Sequence, residues 1–209
     1  MLKNCLIYDF STLSTDPVKG VVTTMAFTPF KIGEFRNCRY TREGLEKTTR
    51  FFKFSVNDQR QNHKRKICPK TVDFWKEMSP KLRDTLLKPH AKDLPMKAIP
   101  KIFEKFVDFS DISYVFTRSN NFDPFFLKCI YKDLGYDEMP FEHWKQCDVA
   151  SYIRALAYGY DISDNFLPET GYGKTFQPQH PVQSVVTDIL RIQEIAIELE
   201  SDDVEEVPF

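Results

Sequence analysis

Apolar positions at the start of the chain form a nearly unbroken block: Leu2, Cys5, Leu6, Ile7 and Tyr8 lead into Asp9. Such a run, stopped by a charge, predicts a buried strand over 2–10. A second run over 19–30 (Val21, Val22, Met25, Ala26, Phe27) predicts another strand, with Asp16-Pro17 and Lys19-Gly20 marking the connection. Residues 45–56, with Leu45, Phe51, Phe52, Phe54 and Val56, read as a third, so the chain opens as an antiparallel meander. The period then changes. Val72, Trp75 and Met78 recur at helical spacing after Pro69, and Ser79-Pro80 ends that helix and caps a short second one. Met96, Ile99, Ile102, Phe103 and Phe106 predict an amphipathic helix over 96–109. A short strand over 112–116, helices over 123–134 and 148–158 and a long helix over 178–199 follow. Strands first, then helices interleaved with strands, predict an α/β fold: one mixed sheet flanked by helices over residues 1–197, with an acidic segment over 198–209.

Composition narrows the function classes. The 209 residues are 42% hydrophobic and 28% charged, with 19 Phe, which suits one domain with an aromatic core. Formal net charge is −1, so any nucleic-acid contact has to come from a local basic patch. No apolar run approaches the ~18 residues that span a bilayer, so no membrane association is expected, and the first apolar run reads as a strand rather than a signal peptide. The five cysteines are scattered without a CxxC, which favours free thiols in a reducing, cytoplasmic compartment and argues against a zinc site.

The candidate chemistry lies in carboxylates at strand and helix ends. Asp9 closes the first strand, and residue 11 shares its face because strand side chains alternate. Two-metal phosphodiester cleavage needs several carboxylates converging on cations roughly 4 Å apart. Ser11 supplies only a neutral hydroxyl. Asp123 follows the 112–116 strand and opens a helical run.

The order of these features resembles the DEDD 3′–5′ exonucleases of the RNase H-like superfamily, most closely the phage DexA type. The resemblance rests on Leu6-Ile7-Tyr8-Asp9-Phe10-Ser11-Thr12-Leu13, the 71–80 segment around Asp73-Phe74-Trp75, Ser119-Asn120-Asn121-Phe122-Asp123, Cys147-Asp148-Val149 and Thr187-Asp188-Ile189-Leu190. It covers about residues 2–195. It implies an RNase H-like fold and a site of four carboxylates with a histidine base, loaded with Mg²⁺ or Mn²⁺. Asp9 and Asp123 match two of those acids, and Ser11 stands where a Glu belongs. Aligning the last helix on Asp188 places Ser184 at the final Asp and Gln179 at the base. Sliding by one restores His180 as base but puts Val185 at the acid. The resemblance therefore implies a degenerate site, with Asp9 and Asp123 holding a metal weakly if at all. Asp148 is expected to cap a helix and Asp188 to face solvent.

On this reading the domain has lost catalysis and binds single-stranded DNA or RNA, or a protein partner, with a phage origin and action in the host cytoplasm. The alternatives are an active exonuclease with a rearranged site, and a structural or host-takeover protein that keeps only the fold. Arg60, Lys64, Arg65 and Lys66, with Trp75 for stacking, are the candidate nucleic-acid contacts. The acidic segment closing with Val207-Pro208-Phe209 resembles the C-terminal tips of bacterial single-stranded-DNA-binding proteins, a candidate protein-docking element. Gly171-Tyr172-Gly173-Lys174-Thr175 lacks the first glycine of a phosphate loop and is set aside.

Overall fold

The computed structural model describes residues 3–33, 35, 39–158 and 163–202. Cys38 and the Val207-Pro208-Phe209 segment lie outside the described residues. The elements, in chain order, are β1 (Lys3–Thr12), β2 (Val22–Ile32), α1 (Arg42–Thr48), β3 (Arg50–Lys53), α2 (Val56–Asn62), α3 (Pro69–Lys76), α4 (Pro80–Leu86), α5 (Ala98–Phe106), β4 (Tyr114–Thr117), α6 (Asp123–Asp133), β5 (Gln146–Asp148), α7 (Val149–Leu156) and α8 (Pro181–Asp202).

The strands form one mixed sheet in the order β3-β2-β1-β4-β5. β1 pairs antiparallel with β2 and parallel with β4, while β3 and β5 occupy the edges. Alternation along β1 divides the core in two. Leu6, Tyr8 and Phe10 pack on one face against Phe103 of α5 and Phe126, Leu127 and Ile130 of α6. Cys5 and Ile7 pack on the other against Val186, Ile189 and Leu190 of α8 and Val149 and Ile153 of α7. Burying a side chain of this size contributes about 1.5–3 kcal/mol, so the central strand's position is fixed from both sides. Asp9 and Ser11 share the face of Ile7 and look toward α8.

The sequence expectation fails most clearly over 45–56, where one strand was expected. Thr41 caps α1 by accepting from the Gly44 N–H at 3.1 Å. The acid Glu43 in the first turn and Lys47 in the last suit the helix dipole, and Leu45 is buried. Only Arg50–Lys53 is extended, with Phe52 packed toward the α5 side and Phe51 toward the α8 side. Ser55 then caps α2. The apolar residues thus come from two helices, a four-residue strand and, at Phe54, an isolated bridge to Leu94.

α8 is buried around most of its circumference, including its polar residues Ser184, Asp188, Arg191 and Gln193. Gln193 is satisfied by both main-chain groups of Tyr40 at 2.5 and 3.1 Å. The fate of Asp188 and Arg191 defines the site.

Candidate carboxylate site

The C-terminal ends of β1 and β4 and the first two turns of α8 meet at one end of the sheet. Asp9 enters from β1 and is half-buried. The ladder between β1 and β2 slips after Ser11, where Ser11 pairs with Thr24 and Thr12 with Val22. Such a bulge bends a strand and re-aims the side chains next to it. Asp123, the first residue of α6, is only 2% exposed, and its Oδ1 accepts from the Phe10 N–H at 3.0 Å. That bond locks the start of α6 onto β1 beside Asp9.

The electrostatics of the pair follow from burial. Asp123 is pushed up to about 7 by burial, opposed by the main-chain donors of Phe10 and Asp123 itself. Asp9 is pushed well above the usual carboxylate range, first by burial and then by the charges of Asp123 and Asp188. Ser184 and Arg118 act in the opposite sense, the Ser184 hydroxyl by hydrogen bonding to the Asp9 carboxylate.

The structure brings Asp9, Asp123, Ser11 and Ser184 to this end of the sheet, and Ser11 is buried at 4% exposure. His180 precedes Ser184 by one helical turn, its carbonyl accepting from the Ser184 N–H at 2.9 Å. The His180 ring stacks on Phe51 with centroids 5.9 Å apart, and Phe51 sits on β3, two strands from β1. Burial lowers the His180 pKa, and its Nδ1 is enclosed without a partner. Gln179 lies in the turn before α8, and among the described residues it makes no hydrogen bond to Asp9 or Asp123.

Asp188 corrects the sequence reading. It was expected to face solvent, yet it is 1% exposed. It lies four residues beyond Ser184, hence on the same helix face, pointing at the sheet. Arg118 grips it with Nη2 at 2.5 Å and Nε at 3.1 Å, and Arg191 adds Nη1 at 2.7 Å. Arg118 escaped the sequence reading altogether, although it lies two residues past Phe116 and shares that residue's face. Asp148 does cap its helix, accepting from the Ser151 N–H at 3.1 Å.

The donor set at this strand end is mixed. Hydroxyls stand at 11 and 184, Asp188 is occupied by guanidinium groups, and Asp123 is tied to main chain. Among the described residues, no group of three or more His, Cys, Asp or Glu side chains could hold a metal ion.

The basic stretch docks beside the same strand end. The Cys68 N–H donates to Leu13 O at 2.8 Å, and the Val21 N–H donates to Lys66 O at 3.1 Å. Arg60, Lys64 and Lys66 are exposed and line a cavity of about 590 Å³ with Asn57, Gln61, Arg65 and Ile67. No carboxylate contributes to that lining. Two expected contacts are corrected here. Arg65 is 2% exposed and is consumed by Gly20 O at 2.6 Å and Asp133 at 3.0 Å. Trp75 is 5% exposed and donates to Thr12 O at 2.8 Å, so its ring is core. Its neighbour Phe74 is the open aromatic, at 41% exposure.

No protein-family model matches the sequence, and no curated protein matches it. Solved structures of exonuclease I do match the fold. A product-bound exonuclease I aligns at 15% identity and a TM-score of 0.54, over 95% of this chain and 43% of that one. The zinc-bound E. coli ExoI–ssDNA complex aligns at 14% identity and 0.57, over 97% and 41%. The ExoI/SSB-Ct complex aligns at 16% and 0.54, over 95% and 41%. The chain spans about two-fifths of the length of these neighbours. The RNase H-like α/β fold expected from the sequence, one mixed sheet flanked by helices, is therefore present and is shared with these exonuclease I structures.

Proposed function

We propose that this chain is an exonuclease-fold domain that does not cleave phosphodiester bonds and that binds single-stranded nucleic acid beside the former site. One observation carries the first half: where two cations would need four carboxylates, the site offers Asp9 and Asp123, with Ser11 and Ser184 as hydroxyls and Asp188 taken by Arg118 and Arg191. Any Mg²⁺ or Mn²⁺ that binds does so weakly, between Asp9 and Asp123. The second half rests on Arg60, Lys64 and Lys66 around a cavity without acids, with Phe74 open on the neighbouring helix. A phage origin, and a protein contact through the acidic segment that includes Val207-Pro208-Phe209, belong to the same reading. That ExoI structures include complexes with ssDNA and with SSB-Ct makes both partner classes reasonable here.

The test is release of nucleotides from 5′-labelled single-stranded DNA and RNA with Mg²⁺ or Mn²⁺, alongside binding of the same oligonucleotides in EDTA. The reading expects binding without release. Metal-dependent release that disappears in Asp9→Ala would favour the second reading, an active exonuclease with a rearranged site. One observation speaks for that alternative: Asp188 is a third carboxylate close enough to raise the pKa of Asp9.

A further inference from the structure

We infer that the Arg118 guanidinium is the resident cation of this site and supplies, through its grip on Asp188, positive charge of the kind a divalent metal would bring there. The inference rests on the reading of the site as non-cleaving and explains how the acids tolerate burial without metal.

Position comes from the ladder. β1 and β4 pair as Cys5 with Tyr114, Leu6 with Val115 and Ile7 with Phe116. Arg118 follows Thr117, the last residue of β4, and its charge reaches Asp9, whose ionised form it favours. Both residues share the face of Ile7 and Phe116, which α8 covers. From α8, Ser184 faces Asp9, and Asp188 follows one turn later.

Charge comes from the contacts. Arg118 offers Nε and Nη2 to the two oxygens of Asp188, the fork geometry in which guanidinium best matches carboxylate. Its remaining contacts are Nη1 to Asn165 Oδ1 at 3.1 Å and Nη2 to Asp164 O at 3.5 Å. Arg191 repeats the pattern from α8, reaching Asp188, Asn165 O at 3.1 Å and Phe166 O at 2.7 Å. Two metals would bring four positive charges to balance four acids. Here the acids are fewer, and arginines supply the balance. A divalent cation placed between Asp9 and Asp123 would meet a fixed positive charge one strand away, which disfavours it.

Arg118→Met removes the charge and keeps the bulk. The probes are Mn²⁺ binding, read from loss of the free-ion paramagnetic resonance signal, and thermal melting in EDTA against millimolar Mn²⁺. The unmodified chain is expected to take up no stoichiometric Mn²⁺ and to melt alike in both. Arg118→Met is expected to melt lower in EDTA, to regain part of the loss in Mn²⁺ and to bind Mn²⁺ at least about tenfold more tightly than the unmodified chain. Arg118→Lys, which keeps the charge, covers the case in which the Met variant does not fold: it is expected to fold and to ignore Mn²⁺. Stoichiometric Mn²⁺ on the unmodified chain, Mn²⁺ uptake by Arg118→Lys, or a folded Arg118→Met without any Mn²⁺ response each overturns the inference. Metal-dependent nucleotide release would instead overturn the underlying reading, and it is measured separately.

Discussion

Two charged regions flank the end of β1, and they are built on opposite principles. At the carboxylate end nearly every charge is turned inward and matched: Asp123 takes a main-chain N–H, and Asp188 takes two guanidinium groups. At the α2–α3 surface, Arg60, Lys64 and Lys66 remain exposed around a cavity with no acid in its wall. The difference teaches where free energy is still available for a ligand. Matched, buried charges have spent their interactions on the fold, whereas unmatched exposed cations keep theirs for a polyanion.

Breaking the inward region should cost most. Asp188→Ala strands Arg118 and Arg191 around an empty position. Removing one partner of a buried pair costs about 3–5 kcal/mol, a fall in melting temperature on the order of 10 °C for a chain of this size. Urea or thermal unfolding checks it, and an unchanged midpoint would mean that the network is ornamental. Arg65→Met comes next, since it takes the buried partner from Asp133, leaving Lys19 at 3.7 Å, and loses the bond to Gly20 O. Asp133 keeps some solvent access, so a loss of roughly 2–3 kcal/mol is expected. The folded variant should still bind oligonucleotide with an unaltered salt dependence.

Asp9→Asn sharpens the same contrast through pH. The native Asp9 pKa is raised above its unfolded value, so the unfolded chain gives up the proton first. Native stability therefore falls as pH rises from about 4, the unfolded value, toward the native one. Neutralising the side chain should raise the melting temperature at pH 7, and the gain should vanish near pH 4. A gain that is equal at both pH values would contradict the assigned cause.

The smallest effect on stability should come from the outward region. The triple variant Arg60→Ala, Lys64→Ala and Lys66→Ala is expected to stay within about 0.5 kcal/mol of the unmodified chain. Its affinity for single-stranded DNA should drop, and the slope of log K against log salt should shrink by roughly 2 if all three cations meet phosphates. An unchanged slope would move the nucleic-acid contact elsewhere.

Much of the architecture was legible because its signals are local. Ser79-Pro80 and Asp148 mark helix starts by chemistry that needs no tertiary partner, and the stripe from Met96 to Phe106 identifies α5 by spacing alone. The 45–56 stretch misled because Leu45 and Phe51 pack into the core on the α8 side and Phe54 into the core on the α5 side, which a linear pattern merges into one strand. In the site, Asp9 and Asp123 followed from element ends, and Ser184 from the family resemblance of the last helix. Arg118 and Asp188 did not, since the pair is 70 residues apart and each alone resembles a surface charge. A run of cations likewise hides which member turns inward: Arg65 does, while Lys64 and Lys66 do not.

The most direct test of the central claim is a single-stranded oligonucleotide, labelled at its 5′ end, incubated with the unmodified chain in Mn²⁺ and resolved for shortened products, with Asp9→Ala in parallel. The account expects full-length oligonucleotide in both lanes and a bound complex in EDTA. A ladder shortened from the 3′ end, present with the unmodified chain and absent with Asp9→Ala, would contradict it.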